Sequence, residues 1–565
     1  MVSSFNFLGQ TKINEKEFES FKLLPQESIF IHFNTNFLLT GEKLFYKVNS
    51  VNLNTKLNSD LSKIAYVEII NNNKVSVLKH KIRLEKGVGQ GDFFITNKIE
   101  TGSYKLIGYT EWMKNKNLFF QENITIINPF SSKIKTVSSK SEVKEYKNLK
   151  ENEIIVGNIS LNLNKDTFQK REKVTVSISS KDSKKIAGNF SISVRQVNPF
   201  LEQDKMSSVN FVENLSSINL TKSTLNNNSI FLPEFRGELI SGKISAKSEN
   251  FPLENLRVGL SIIEEDGVFK VSNTDKNGFF HFNILEKYSS EKAYFQVLEK
   301  DNENYSIQIL ENKGLDFSKL NFNALEIDSL TRNLIINRSA QVQIENAYSN
   351  LKQDSVIEKI SPNNLFNNKF KVYDLDDFTR FKTIRETMVE IIEDSWVNKS
   401  GDNYSFHVRD YNRAINYNSN PLLLIDNYII TNANEIINFS SKKIKTIAIS
   451  QEIFKFNSKI YEGVIIFKTI NGDYSPKVTP EVLPTQIVKP LAIKKYFSQI
   501  YIENSKELER IPDYRTQLLW EPNLDLSKKQ ISFFTSDIPG YFEISIEGFT
   551  IDGNPLSVKK MILVK

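Results

Sequence analysis

The chain has 565 residues, with 73 Lys and Arg against 67 Asp and Glu, a net charge of +6, and no cysteine. That length is too great for one core, and about three to five domains are expected. The missing thiols exclude disulfides, thiolate zinc sites, cysteine nucleophiles, thioesters and a lipid-bearing cysteine. So dilute a charge does not suggest a nucleic-acid binder, which would cluster its basic residues on one face.

Apolar residues make up 39%, with 41 Phe and 20 Tyr. Such a chain buries large cores and favours strands over helices and disorder. The opening, MVSSFNFLGQTKINEKEFES, has no apolar run long enough for a signal peptide. The expectation is a cytosolic protein or a chain lacking its export signal. No run of about twenty apolar residues predicts a membrane-crossing helix.

Residues 1–25 read as an N-terminal segment and 26–129 as one β-sandwich. In SIFIHFNTNFLLTGEKLFYKV, Ile29, Ile31 and Phe33 share a face, as do Leu44, Tyr46 and Val48, with a Thr40-Gly41 turn between. Period two around a turn predicts antiparallel strands, and IAYVEII and TGSYKLIGYTEWM repeat the pattern. This stretch resembles the macroglobulin-type immunoglobulin-like domain of large Bacteroidota envelope proteins, which carries a histidine, Thr-Asp, Tyr, Gly-Glu string. His32, Gly41 and Glu42 match it, while the acid is either replaced by Asn36 or lost.

The Ser- and Lys-rich stretch at 130–150 reads as a solvated linker. Residues 151–232 alternate again, with Phe190, Ile192 and Val194 facing one way, and resemble a second macroglobulin-like sandwich. In 233–315, Val258, Leu260 and Ile262 alternate, and Asp275-Lys276-Asn277-Gly278 predicts a tight hairpin turn. That segment is similar to the carboxypeptidase-regulatory-like sandwich, a prealbumin-type module without catalytic residues. Residues 316–372 read as a polar connector with helical character around NRSAQVQIENAYSNLK.

In 373–484, TIRETMVEII predicts a helix with a Thr383/Glu386 capping box and Ile384, Met388, Ile391 and Ile392 on one face. PLLLIDNYII, turning at Asp426-Asn427, and YEGVIIFKT, with Gly463-Val464-Ile465, resemble the plug of TonB-dependent receptors. The residues after Thr469 are too few for a receptor barrel, so the plug-like unit is expected to pack or to contact a partner. Residues 485–565 resemble a C-terminal macroglobulin-like sandwich through Trp520, Phe533 and Pro539-Gly540, with Phe542, Ile544 and Ile546 alternating against Glu543, Ser545 and Glu547. The expected class is mainly β, a multidomain string of immunoglobulin-like, macroglobulin-like and prealbumin-like sandwiches with one small α+β plug-like domain.

Reactive constellations are sparse. His32, His80, His281 and His407 lie far apart, and none has the i, i+4 spacing of a helical metal site. Asp374, Asp376 and Asp377 cluster, but as a loop leading a helix rather than a calcium loop, since no bidentate Glu follows. DKNGFF places Phe279 at a ligand position and reads as a turn. GVGQGDFF at 87–94 also reads as a turn. Trp112, Trp396 and Trp520 sit in apolar runs and are expected in cores. No nucleophile elbow, phosphate loop or dinucleotide fingerprint occurs. The expectation is therefore no catalytic, cofactor-binding or metal residue, and no cofactor.

The resemblance implies a non-enzymatic scaffold in the cell envelope, at the periplasm or outer-membrane surface, with protein partners that include an outer-membrane β-barrel. Nucleic acid and a transmembrane segment of its own are not expected. Two alternatives are a macroglobulin-like endopeptidase inhibitor without a thioester, with a protease as partner and a bait at 131–150 or 316–372, and a TonB-receptor-associated accessory to nutrient uptake.

Overall fold

The computed structural model describes residues 11–12, 24–131, 155–156, 159–180, 187–197, 204–215, 229–310, 314–325, 327, 329–357, 369–409, 419–456, 459–501, 510–528 and 530–565. The expected linker lies outside these from 132 to 150, as does most of the N-terminal segment. The fold is mainly β and divides into many small sheets. The chain forms two compact units. The larger comprises Gln10–Phe235, Gly314–Glu358 and Pro490–Lys565, and the other comprises Arg236–Lys313 and Lys359–Lys489. No helix among the described residues is long and apolar enough to cross a membrane.

The larger unit opens with a sandwich. Glu27–Phe33, Lys43–Asn52 and Val88–Phe94 form one antiparallel sheet. Phe37–Leu39, Phe120–Ile127, Gly102–Tyr109, Ile64–Asn71 and Ser76–Arg83 form the facing sheet in that order. Ile31 lies opposite Val48 and Phe33 opposite Tyr46, so the two predicted alternating sets line one common face. The Thr40-Gly41 turn joins strands of different sheets. The expected turn at 87–94 is a turn only at Lys86 and Gly87, and the rest is strand. Glycine serves packing there, because a Cβ at Gly91 would sit 2.4 Å from the Tyr46 hydroxyl.

Segments expected as two separate sandwiches, 151–232 and 485–565, build one. Gly188–Gln196 lies between Gly540–Thr550 and Gln517–Leu524, pairing with both. Ile155–Val156 and Thr167–Phe168 pair with Pro555–Val564. Ile159–Leu163, Lys173–Ser180 and Gln530–Phe534 form the other sheet. The apolar faces explain the union: Val176, Ile192 and Val194 are covered by Leu518, Phe533, Ile544 and Ile546 in one core, and neither segment has enough strands to cover its own. The short helix α1 (Ser208–Leu215) places Phe211 against Phe30 and Phe549. The helical part of the expected connector is α2 (Ser329–Ala347).

In the other unit, Phe279–Ile284, Glu238–Ala246 and Tyr305–Ile309 face Val268–Asn273, Arg257–Ile262, Lys292–Val297 and Val482–Gln486. The Asp275–Gly278 turn is tight, with Asp275 Oδ1 accepting from the Asn277 and Phe279 amides. It connects two sheets, however, rather than a paired hairpin. A five-stranded mixed sheet follows, ordered Lys371–Asp374, Ile444–Phe456, Lys459–Thr469, Leu422–Ile425, Tyr428–Ile429. Helix α3 (Ile384–Glu390) packs Ile384 and Met388 into its core, capped by Thr383. Asp426 and Asn427 both have positive φ, at 46° and 65°, the geometry of a two-residue type I′ hairpin turn.

Candidate functional site

The histidine and Gly-Glu positions of the first sandwich sit at its junction with the rest of the larger unit. Gly41 has φ +94°, and a Cβ there would come within 2.9 Å of Val342 and 2.8 Å of Asn346, so the turn lies directly on α2. Glu42 is buried and accepts from the Leu39 amide at 2.8 Å. Arg338 of α2 grips the same carboxylate through Nε at 2.9 Å and Nη2 at 2.8 Å, and Arg195 approaches at 3.6 Å. Burial would raise the Glu42 carboxyl, but the two guanidiniums and the Leu39 amide outweigh it and hold it below its ordinary value.

His32 and Lys47 are cross-strand partners on the face that meets the second sandwich. His32 Nδ1 lies 2.7 Å from Ser191 Oγ, and its ring packs on Trp520 at 5.2 Å. Lys47 donates to the Phe190 carbonyl at 2.9 Å. Burial pushes the Lys47 ammonium down to about 7, opposed by Glu521. Burial, then the charges of Lys205, Lys47 and Lys559, lower His32 well below its ordinary value. Glu547 closes the same seam, accepting from the Ser208 amide and Ser557 Oγ, and burial raises its carboxyl. The polar faces of two alternating sheets are thus buried against each other, with His32, Lys47 and Glu547 each held by at least one hydrogen bond.

Beside this seam lies a cavity of about 190 Å³, bounded by the Gly41 turn, α2, and residues 496–497 and 514–520. Phe45, Phe94, Tyr496, Phe497, Tyr514 and Trp520 line it. Phe45 stacks on Trp520 at 6.0 Å and meets Tyr496 edge-on at 5.1 Å. The surrounding charges are paired: Lys43 with Asp354 at 2.7 Å, Lys352 with Glu345 at 2.5 Å, Arg515 with Asp513 at 2.6 Å. Trp520 is 3% exposed, and its indole N–H has no acceptor among the described residues. No sequence signal marked this cavity, because its rings come from positions more than 400 residues apart.

The other residues weighed in the sequence stay apart. His80 Nδ1 lies 2.8 Å from the Tyr46 hydroxyl with its ring stacked on Phe93 at 3.8 Å, and burial pushes it down to about 3. His281 meets Ser241 and His407 meets Ser405, each at 2.8 Å. Asp374 caps a short 3-10 turn by accepting from the Asp376 amide, and Asp376 pairs with Arg380. Among the described residues, no three His, Asp or Glu side chains gather closely enough to hold a metal ion. Trp112 is buried, donating to the Pro25 carbonyl, and Trp520 is buried too. Trp396 departs from the core expectation: it is 43% exposed on the outer face of the hairpin Ser395–Ser400/Asn403–Val408, stacked on His407. The opposite face carries Phe406 and Val408 to the core, so period two placed the wrong face inward.

No family model and no curated protein matches the chain. Among solved structures, it is similar to trypsin-activated alpha-2-macroglobulin from Escherichia coli, at 10% identity and a TM-score of 0.23, over 95% of this chain and 41% of that one. The native conformation of the E. coli protein matches at 9% identity and a TM-score of 0.23, over 95% and 40%. Dimeric latent PorU from Porphyromonas gingivalis matches at 10% identity and a TM-score of 0.15, over 51% and 34%. The chain spans about two fifths of the length of the macroglobulins it matches.

Proposed function

We propose that this chain is a non-catalytic scaffold of the bacterial cell envelope, acting by protein contact beside an outer-membrane transport or assembly complex. The observation that carries the reading is the buried polar seam. His32, Lys47, Glu42, Arg195 and Glu547 lie between two sandwiches, held by hydrogen bonds and ion pairs. Groups fixed in this way stiffen a junction and present no reactive cleft. The motif resemblance supports macroglobulin-type sandwiches, with a regulatory-like module at 233–315 and a plug-like module at 373–484. In the latter, Leu422–Ile425 runs parallel to Lys459–Thr469, and the module serves as a contact surface rather than a pore gate.

The test is gentle solubilisation of native envelopes, cross-linking to the intact tagged chain, and identification of cross-linked partners by mass. Recovery of an outer-membrane barrel with cross-links into this chain is the expected result. Retention of a protease after a single cut, with a change in native migration, would instead establish a trap and overturn the scaffold reading.

A further inference from the structure

We propose that the Asn471-Gly472 bond is a spontaneous modification site, converting with age to an isoaspartyl linkage that loosens the 470–473 turn from the 264–267 turn. The site does not depend on the scaffold reading, because its only co-reactant is water. The chain contains four Asn-Gly or Asp-Gly bonds, at Asp266, Asn277, Asn471 and Asp552. A following glycine has no Cβ to hinder its nitrogen from reaching the preceding side chain. In the step, the Gly472 nitrogen gives up its proton and attacks Asn471 Cγ, the new C–N bond closes a cyclic imide, and ammonia leaves. Water then opens the imide at either carbonyl. One product is aspartate, and the other is isoaspartate, in which the main chain runs on through Cβ and Cγ.

Hydrogen bonding separates the four bonds. Gly267 donates to the Glu264 carbonyl at 3.2 Å, Gly278 to the Asp275 carbonyl at 2.9 Å and Gly553 to the Thr550 carbonyl at 2.9 Å. An amide held in a turn has to break that bond before it can swing onto the side chain. The Gly472 amide has no acceptor among the described residues, and the Asn471 carboxamide has no partner among them either. Exposure does not separate the two Asn-Gly bonds: Asn277 and Asn471 are both exposed, and Gly278 and Gly472 are both buried. The flanks of Asn471 are fixed. Asp426 accepts from the Thr469 amide at 2.8 Å and the Tyr474 amide at 2.9 Å, and Thr469 Oγ1 accepts from the Asp473 amide at 3.1 Å. The turn is thus anchored at both ends and uncommitted at its apex.

Packing gives the modification its consequence. Gly472 has φ +63°, and a Cβ there would come within 2.7 Å of the Glu265 nitrogen and 3.2 Å of the Glu264 carbonyl carbon. A main chain lengthened by one carbon displaces Gly472 from that close approach. The new carboxylate also arises next to Asp473 and against the turn that carries Glu265, where like charges repel. The contact it disturbs includes Asn427 Nδ2 donating to the Glu264 carbonyl at 3.3 Å and Lys468 pairing with Asp266 at 3.6 Å.

The experiment ages the purified full chain at neutral and at mildly alkaline pH and maps its peptides by mass, with isoaspartate distinguished by fragmentation. Asn471 should convert about ten-fold faster than Asn277, the factor for one net hydrogen bond of about 1.4 kcal/mol. Both should convert faster at alkaline pH, where the amide nitrogen ionises more readily. Hydrogen exchange at residues 263–267 should quicken in the aged chain. Asn471→Gln, whose longer side chain closes the imide far more slowly, should age without either change. Conversion of Asn277 at an equal or greater rate, or an unconverted Asn471 after alkaline ageing, overturns the site. Unchanged exchange at 263–267 in the converted chain, or the same quickening in aged Asn471→Gln, overturns the loosening.

Discussion

Lys47 and His32 face each other across two strands, and both titrate in ways the fold has to accommodate. Lys47 falls to about 7 in the folded chain through burial, but titrates at about 10.4 when unfolded. Below about pH 7 both states are protonated, and the full cost of burying the charge is present. Between about pH 7 and 10 the unfolded chain holds a proton the folded chain lacks, so stability rises with pH, by at most about 1.4 kcal/mol per unit. Lys47→Met should remove that slope, read from urea melts at several pH values between 7 and 10. An unchanged slope would mean that Lys47 is not the group responsible. His32 acts on the acid side. Its folded value is depressed, so stability falls as pH drops through about 6.5, where the unfolded imidazole takes up its proton.

At the scale of elements, α2 is held by its charge rather than by a strong apolar stripe. Arg338 donates to both Glu42 oxygens and to the Phe37 carbonyl, and lies over the Phe37 ring at 5.5 Å. Arg338→Ala leaves the Glu42 carboxylate buried without its main partner, a change that costs about 3–5 kcal/mol. Thermal melts of the full chain should show it, and a loss below about 1 kcal/mol would contradict the ion-pair geometry. The strands themselves were legible, because alternation marks a core face: Ile29 and Ile31, Val258 and Leu260, Phe542 and Ile544 all point inward. What alternation does not reveal is where the opposite face goes. Ser191, Ser193, Ser545 and Glu547 lie on the polar side of their strands' alternation, yet all are buried in the seam. Trp396 fails in the reverse sense, an apolar residue on the outward face of its hairpin. The Gly-Glu pair was visible as a motif, but its role needed the helix that begins almost 290 residues later.

Across the whole molecule, the feature with no local signature is which strands pair. Period and turn chemistry are properties of neighbours in sequence, whereas Gly188–Gln196 finds both of its partners more than 320 residues away, in Gln517–Leu524 and Gly540–Thr550. The cavity is hidden for the same reason, since Phe45 and Phe94 come from one end of the chain and Tyr496, Tyr514 and Trp520 from the other. Such distant pairing makes a sharp prediction. A fragment of residues 151–232 would leave its Gly188–Gln196 strand with neither neighbour and Ile192 and Val194 uncovered, although Ile546 and Ile544 lie opposite them in the intact sheet. That fragment should show no cooperative melt and a collapsed amide spectrum. Mixed with a fragment of residues 510–565, it should recover dispersed resonances and a single transition, because the two together contain both sheets of the sandwich. A cooperative melt from 151–232 alone would show that the segment covers its own core, and the shared sandwich would then be the wrong description of this chain.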